Sequence, residues 1–194
     1  YVSAAWGKPG SCYAWAPSCP YSGAVLVLDR DKSDGSLKFS EIHKQGEDGV
    51  DGIEKGAGSL IISPDQKNLY VASEEGLASF SRDLATGKLT FLGVHKDSSD
   101  GPIYMFGDSA LAFSPDGNFL YVGGTYSESI AAFKRDQETG SLEHVSSYTD
   151  LGTKGPHGIA ITPDGRHMYV TFPSAGRMKL FVRDQNTGAL VESG

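Results

Sequence analysis

Two cysteines, 17 lysines and arginines against 24 aspartates and glutamates, and no apolar run longer than a strand: the shortages in this chain narrow what it can be. The formal net charge is −7. Nucleic-acid binding calls for clustered Lys and Arg, and here the arginines recur singly, one to a repeated turn, so no basic stripe forms. Without a long apolar run no segment reads as a membrane-spanning helix, and membrane insertion is not expected. Helix-period spacing is missing throughout. So are the Gly-x-Ser-x-Gly elbow, the Walker phosphate loop and any Cys-x-x-Cys pair.

Cys12 and Cys19 fall in one insertion, residues 7–22. A pair closing a short ring reads as a disulfide, which points to an oxidising compartment and an extracellular or cell-surface location. Two unpaired thiols are the alternative, and zinc would need two further ligands from elsewhere. Trp6, Tyr13, Trp15 and Tyr21 lie in or beside the same insertion with Pro9, Pro17 and Pro20. Aromatics pinned in this way suit a platform for a protein or carbohydrate partner. They equally suit a cap on a channel end or packing against a neighbouring sheet.

What the chain has in abundance is repetition. Leu60-Ile61-Ile62-Ser63-Pro64-Asp65 leads to Leu69-Tyr70-Val71, Leu111-Ala112-Phe113-Ser114-Pro115-Asp116 to Leu120-Tyr121-Val122, and Ile159-Ala160-Ile161-Thr162-Pro163-Asp164 to Met168-Tyr169-Val170. The prolines are 51 and 48 residues apart. Each unit is followed by a second signature, Arg82-Asp83 with Gly87, Arg135-Asp136 with Gly140, and Arg183-Asp184 with Gly188; Arg30-Asp31 with Gly35 stands upstream. Recurrence at such a distance marks a repeat architecture.

Each unit reads as four short strands: an apolar first strand (Ser109–Ser114), a Pro-Asp turn, a second strand with Tyr-Val (Phe119–Gly123), a third (Ser129–Lys134), an Arg-Asp-x-x-Thr-Gly hairpin turn, and a more polar fourth (Leu142–Tyr148). A four-stranded sheet with two apolar faces cannot cover itself, so neighbours must stack on it. The expected fold is all-β, a β-propeller with about four four-stranded antiparallel blades and fifteen strands. The blades divide as 1–46, which lacks its first strand, 47–97, 98–150 and 151–194. First strands are expected to be buried on both faces and to line a central channel. This inventory reads as part of a larger propeller, seven-bladed for instance. A small ring whose first blade is completed by another chain is the alternative.

Phe113-Ser114-Pro115-Asp116-Gly117, then Leu120-Tyr121-Val122, then Phe133-Lys134-Arg135-Asp136-Gln137-Glu138-Thr139-Gly140-Ser141-Leu142 resembles the repeat of the lactonase-like, Tyr-Val-Thr-Asn-type β-propellers. The resemblance covers nearly all the chain outside the cysteine loop, and Ala78-Ser79-Phe80-Ser81-Arg82-Asp83 is most similar to the secreted, multi-repeat branch. It implies the fold more than the activity. The superfamily includes seven-bladed sugar-lactone hydrolases and muconate cycloisomerases, and secreted proteins with no assigned reaction. Its enzymes tend to place Arg-His at the start of a first strand and Asn-Glu after a Tyr-Val. Here His157 matches without the Arg, and Glu74 matches loosely.

His157 is thus the candidate general acid or base at the channel mouth, with Asp108 of the preceding repeat as its carboxylate partner. His43 and His95 recur on outer strands and receive no role. Asp29-x-Asp31-x-x-Asp34-Gly35 is the hairpin turn in acidic dress, not a calcium loop, since Ser40 stands where a twelve-residue loop needs its glutamate. Glu47, Asp48 and Asp51 could hold calcium weakly; no other cofactor is implied. Regular repeats, an aromatic loop and a thin catalytic inventory lead to the expectation of a secreted, non-catalytic binding or scaffold propeller. The alternative is a lactonase-type enzyme, hydrolysing or cycloisomerising, with His157 and Asp108 at the channel.

Overall fold

The computed structural model describes residues 2–6, 22–53, 57–73, 76–96, 109–124, 128–149, 151–153 and 155–193, with backbone alone at 2–6, 22, 57 and 109. Fifteen strands among them form four antiparallel sheets. The first blade is β1 (Val2–Trp6), β2 (Ser22–Arg30) and β3 (Leu37–Lys44). The second is β4 (Ala57–Ile62), β5 (Asn68–Ser73), β6 (Gly76–Arg82) and β7 (Leu89–Lys96). The third is β8 (Ser109–Phe113), β9 (Phe119–Gly124), β10 (Ile130–Arg135) and β11 (Leu142–Tyr148). The fourth is β12 (Gly158–Ile161), β13 (His167–Phe172), β14 (Arg177–Arg183) and β15 (Leu190–Glu192). Strand order within each sheet follows the chain, a β-meander, as a propeller blade requires. One 3₁₀ turn, Pro173–Ala175, joins β13 to β14.

The turns follow from their residues. Ser63 Oγ donates to Asp65 Oδ1 at 2.6 Å and accepts from the Asn68 N–H at 3.0 Å, closing the Pro-Asp corner. Ser114 and Thr162 repeat the motif with Asp116 and Asp164. In the second signature, Asp136 Oδ1 accepts from the N–H groups of Glu138 and Thr139, and Gly140 ends the turn at φ +78°. That backbone region favours glycine.

Three apolar cores are the three seams between neighbouring blades. Val25 and Val27 of the first blade meet Leu69, Val71, Ala78 and Phe80 of the second. Tyr70, Ala72 and Leu77 meet Leu120, Val122, Ala131 and Phe133. Phe119, Tyr121, Ile130 and Ala132 meet Met168, Val170, Phe172 and Phe181. The period-two alternation of a strand is thus fully used, odd residues of Leu69–Ala72 facing one neighbour and even residues the other. Each fully buried Leu or Phe contributes about 2 kcal/mol.

Burial peaks in the second and third strands, not in the first as the sequence suggested. All of β5 and β9 are buried, whereas the inner strands β4 and β12 are largely half-exposed. The reason is position: an innermost strand has a hydrogen-bonded neighbour on one edge only.

A polar latch crosses each of the later seams. The Tyr70 hydroxyl donates to the Gly140 carbonyl at 2.7 Å and accepts from Arg135 Nε at 3.1 Å. Tyr121 repeats this with Gly188 at 2.8 Å and Arg183 at 2.6 Å. Two of the four turn arginines are buried, Arg135 at 3% and Arg183 at 4% exposure, whereas Arg30 is exposed and Arg82 half-buried. Their turns fold back over the preceding blade and draw the guanidinium inward. Tyr169, the third of the series, is 37% exposed while Tyr70 and Tyr121 are at 0%.

Candidate functional site

The inner strands β4, β8 and β12 run side by side, so the residues that begin them share one end of the molecule. His157 stands there. Gly155 and Pro156 are buried, and a Cβ on Gly123 would come within 3.0 Å of Pro156 Cβ, so the bare glycine lets this segment close against the third blade. The His157 N–H then donates to the Thr171 carbonyl at 3.0 Å, which extends the β12–β13 ladder by one residue. Gly158 follows, and a Cβ there would lie 2.8 Å from Thr171 Oγ1. The backbone of His157 is therefore fixed while its side chain is exposed and bonds no described group.

The position six residues before the turn proline is His157 in the fourth blade, Ser109 in the third and Gly58 in the second. A neutral imidazole so placed can take a proton from water and return it to a leaving oxygen. Asp108, its expected partner, lies outside the described residues, as do Tyr13, Trp15, Tyr21, Cys12, Cys19 and Glu74. Trp6 ends β1.

The acidic segments are engaged within the protein. Asp31 Oδ1 accepts from the Ser33 N–H and hydroxyl at 2.7 and 2.6 Å, and Asp34 Oδ1 from the Ser36 N–H at 2.8 Å. Those bonds hold both carboxyls below their ordinary range, the Ser33 hydroxyl being the largest cause at Asp31. Asp51 takes Lys96 Nζ at 2.7 Å and Gln45 Nε2 at 2.9 Å, and its pKa falls to about 2, chiefly through Lys96. Glu47 pairs with Lys44 at 3.2 Å. Among the described residues no group of three or more His, Cys, Asp or Glu is placed to hold a metal ion.

The comparisons with known proteins bear on this site. The family model described as a lactonase, 7-bladed β-propeller, matches residues 100–194. A protein of Formosa agariphila named 6-phosphogluconolactonase is 32% identical over 90 residues, which are 44% of this chain and 24% of that protein. One of Arthroderma benhamiae, named "Probable 6-phosphogluconolactonase", is 30% identical over 129 residues, 62% of this chain and 31% of that protein. The structure of the periplasmic gluconolactonase of Pseudomonas aeruginosa superposes with a TM-score of 0.67 at 22% identity, covering 91% of this chain and 49% of that one. The chain thus spans between a quarter and a half of these relatives' lengths.

The expectation of a non-catalytic binding module is overturned by these relatives, whose names are those of lactonases. The inventory looked thin because most of the repeated polar residues serve turns and seams. The few that remain, His157 above all, sit outside the repeat grammar at the ends of inner strands. Fifteen strands in meandering blades and seams closed by Tyr-Val faces give this chain the blades of a β-propeller, similar over residues 100–194 to the lactonase family.

Proposed function

We propose that the protein hydrolyses a sugar lactone at the channel end where β12 begins, with His157 as the general base. The observation that carries this reading is a histidine held by its backbone, with its ring exposed and unbonded, at the start of an innermost strand. The names of the related proteins support the substrate class. In the reaction, His157 takes a proton from water as the water oxygen bonds to the lactone carbonyl carbon. The tetrahedral adduct collapses, the ring C–O bond breaks, and the imidazolium returns its proton to the departing ring oxygen. The product is the open-chain hydroxy acid. Asp108, at the equivalent place one repeat earlier in the sequence, is assigned the part of the carboxylate that orients the imidazole and stabilises its charged form, the role such a partner plays in hydrolases.

The test is acid release from gluconolactone and its 6-phosphate, followed by pH-stat against the buffer rate. His157→Ala is expected to lower turnover by about a hundredfold or more, the usual worth of a general base. Release no faster than buffer, or a variant as fast as the unmodified chain, would overturn the reading.

A further inference from the structure

The outer strands carry a β-bulge at the same place in three blades, and it brings equivalent residues to the seams. Val27 pairs with Glu41, Ser79 with Gly93, and Ala132 with Ser146. In the first seam the Glu41 carboxylate fills the gap. Its Oε1 accepts from the Leu89 N–H of the next blade at 2.7 Å and lies 3.2 Å from His43 Nε2. The His43 ring is set edge-on to Phe80 at 5.6 Å.

The second seam keeps every part of this arrangement except the carboxylate. His95 is the counterpart of His43 and lies 5.3 Å from Phe133, the counterpart of Phe80. Leu142 pairs with Arg135 as Leu89 pairs with Arg82, so its N–H points out of the sheet edge in the same way. Gly93 stands where Glu41 stood and brings no carboxylate to the seam. What remains is an open cleft of about 350 Å³ lined by His95, Leu142, Ser79, Leu92 and Val94 among others. The imidazole of His95 bonds no described group, and neither does the hydroxyl of Ser79, a residue only 5% exposed. In the third seam Tyr148 takes the histidine position and bonds Glu192 at 2.8 Å, so the pairing of a histidine with an empty glutamate place does not recur there.

We propose that this cleft binds a small organic monocarboxylate. Its carboxylate occupies the place of the missing glutamate, between the Leu142 N–H and the His95 ring, and its hydrocarbon end lies on Leu92. A carboxylate is the chemistry selected, because the first seam shows the same donors satisfied by one. A charge-assisted bond to a backbone N–H and an imidazole is stronger than its neutral counterpart. The site lies between outer strands and is separate from the channel end of His157.

The experiment is an NMR titration of the isotope-labelled chain with butyrate, and with butyramide as its neutral isostere. Butyrate is expected to shift the Leu142 amide and the His95 ring saturably, with a dissociation constant of roughly 1 mM, as suits a ligand of a few heavy atoms. Butyramide leaves both unmoved. His95→Phe, which keeps the ring packing on Phe133, weakens butyrate binding at least tenfold. Glu41→Gly opens the first seam in the same way and gives the Leu89 amide a butyrate response that the unmodified chain lacks. A Leu142 amide indifferent to butyrate, an equal response to butyramide, or a Glu41→Gly chain with no response at Leu89 would each overturn the proposal.

Discussion

Arg135 reaches across the second seam to a carboxylate, an amide and a phenol, whereas Arg183 reaches across the third to a phenol and the face of an aromatic ring and bonds a carbonyl of its own blade. Arg135 Nη2 donates to both oxygens of Asp65, at 3.0 and 2.9 Å, and to Asn68 Oδ1 at 2.5 Å. Arg183 Nη1 donates to the Gly165 carbonyl at 2.9 Å, and its guanidinium lies 5.1 Å from the centre of the Phe119 ring, which replaces Asn68. Arg183 Nη2 is buried with no partner. Two solutions to one problem are on display. A guanidinium withdrawn from water is offset either by a full set of acceptors or by a cation–π face that leaves one nitrogen unsatisfied.

The largest break in this symmetry is expected from truncating the two arginines. Arg135→Ala removes the partner of Asp65, a carboxylate only 27% exposed at its side chain. It should cost roughly 3 kcal/mol, the low end for breaking a buried pair. Arg183→Ala strands no bonded carboxylate and removes an orphaned nitrogen, so about 2 kcal/mol is expected. Denaturant midpoints at unchanged slope measure both, and equal losses would show that the acceptors around Arg135 add nothing.

A smaller effect is expected in alkali. Burial pushes the Tyr70 phenol up from 10.0 to about 12, against the pull of Arg135, and raises Tyr121 as well. The folded chain therefore favours the neutral phenol. Its contribution to stability is complete below pH 10 and is lost as the pH rises towards 12. Tyr70→Phe should flatten the fall in denaturation midpoint over that window, with phenolate absorbance reporting the ionisation directly.

The smallest effect sharpens the contrast between buried and surface ties. Asp51, depressed to about 2 by Lys96, contributes above the ordinary carboxylate range and loses that contribution as the pH falls through 2. Both groups are more than a third exposed at their side chains, so screening reduces the tie. Lys96→Met should cost no more than about 0.5 kcal/mol and less in high salt.

Much of the fold was legible because the repeat spells it. Pro64, Pro115 and Pro163 gave the turns, the Tyr-Val pairs gave strands, and their spacing gave the blades. The latches were not legible, since a repeat shows which residues are equivalent and not which module touches which. Arg135 and its partner Asp65 are 70 residues apart, and an arginine beside a turn aspartate looks solvent-bound. His157 was visible as the one histidine at the start of an inner strand. The cleft at Gly93 was not, because one glycine in a variable outer strand carries no signal until Glu41 is seen across the equivalent seam. The histidines given no role, His43 and His95, are the two that reveal it.

The tyrosine latches all point the same way along the chain. Tyr70 is sealed by residues 135–140, and Tyr121 by residues 183–188. During synthesis, then, a newly made sheet keeps a wet phenol on its flank until the ribosome has delivered the hairpin of its successor. Maturation advances behind the growing terminus by one module, and damage to a late turn is felt first by the sheet made before it.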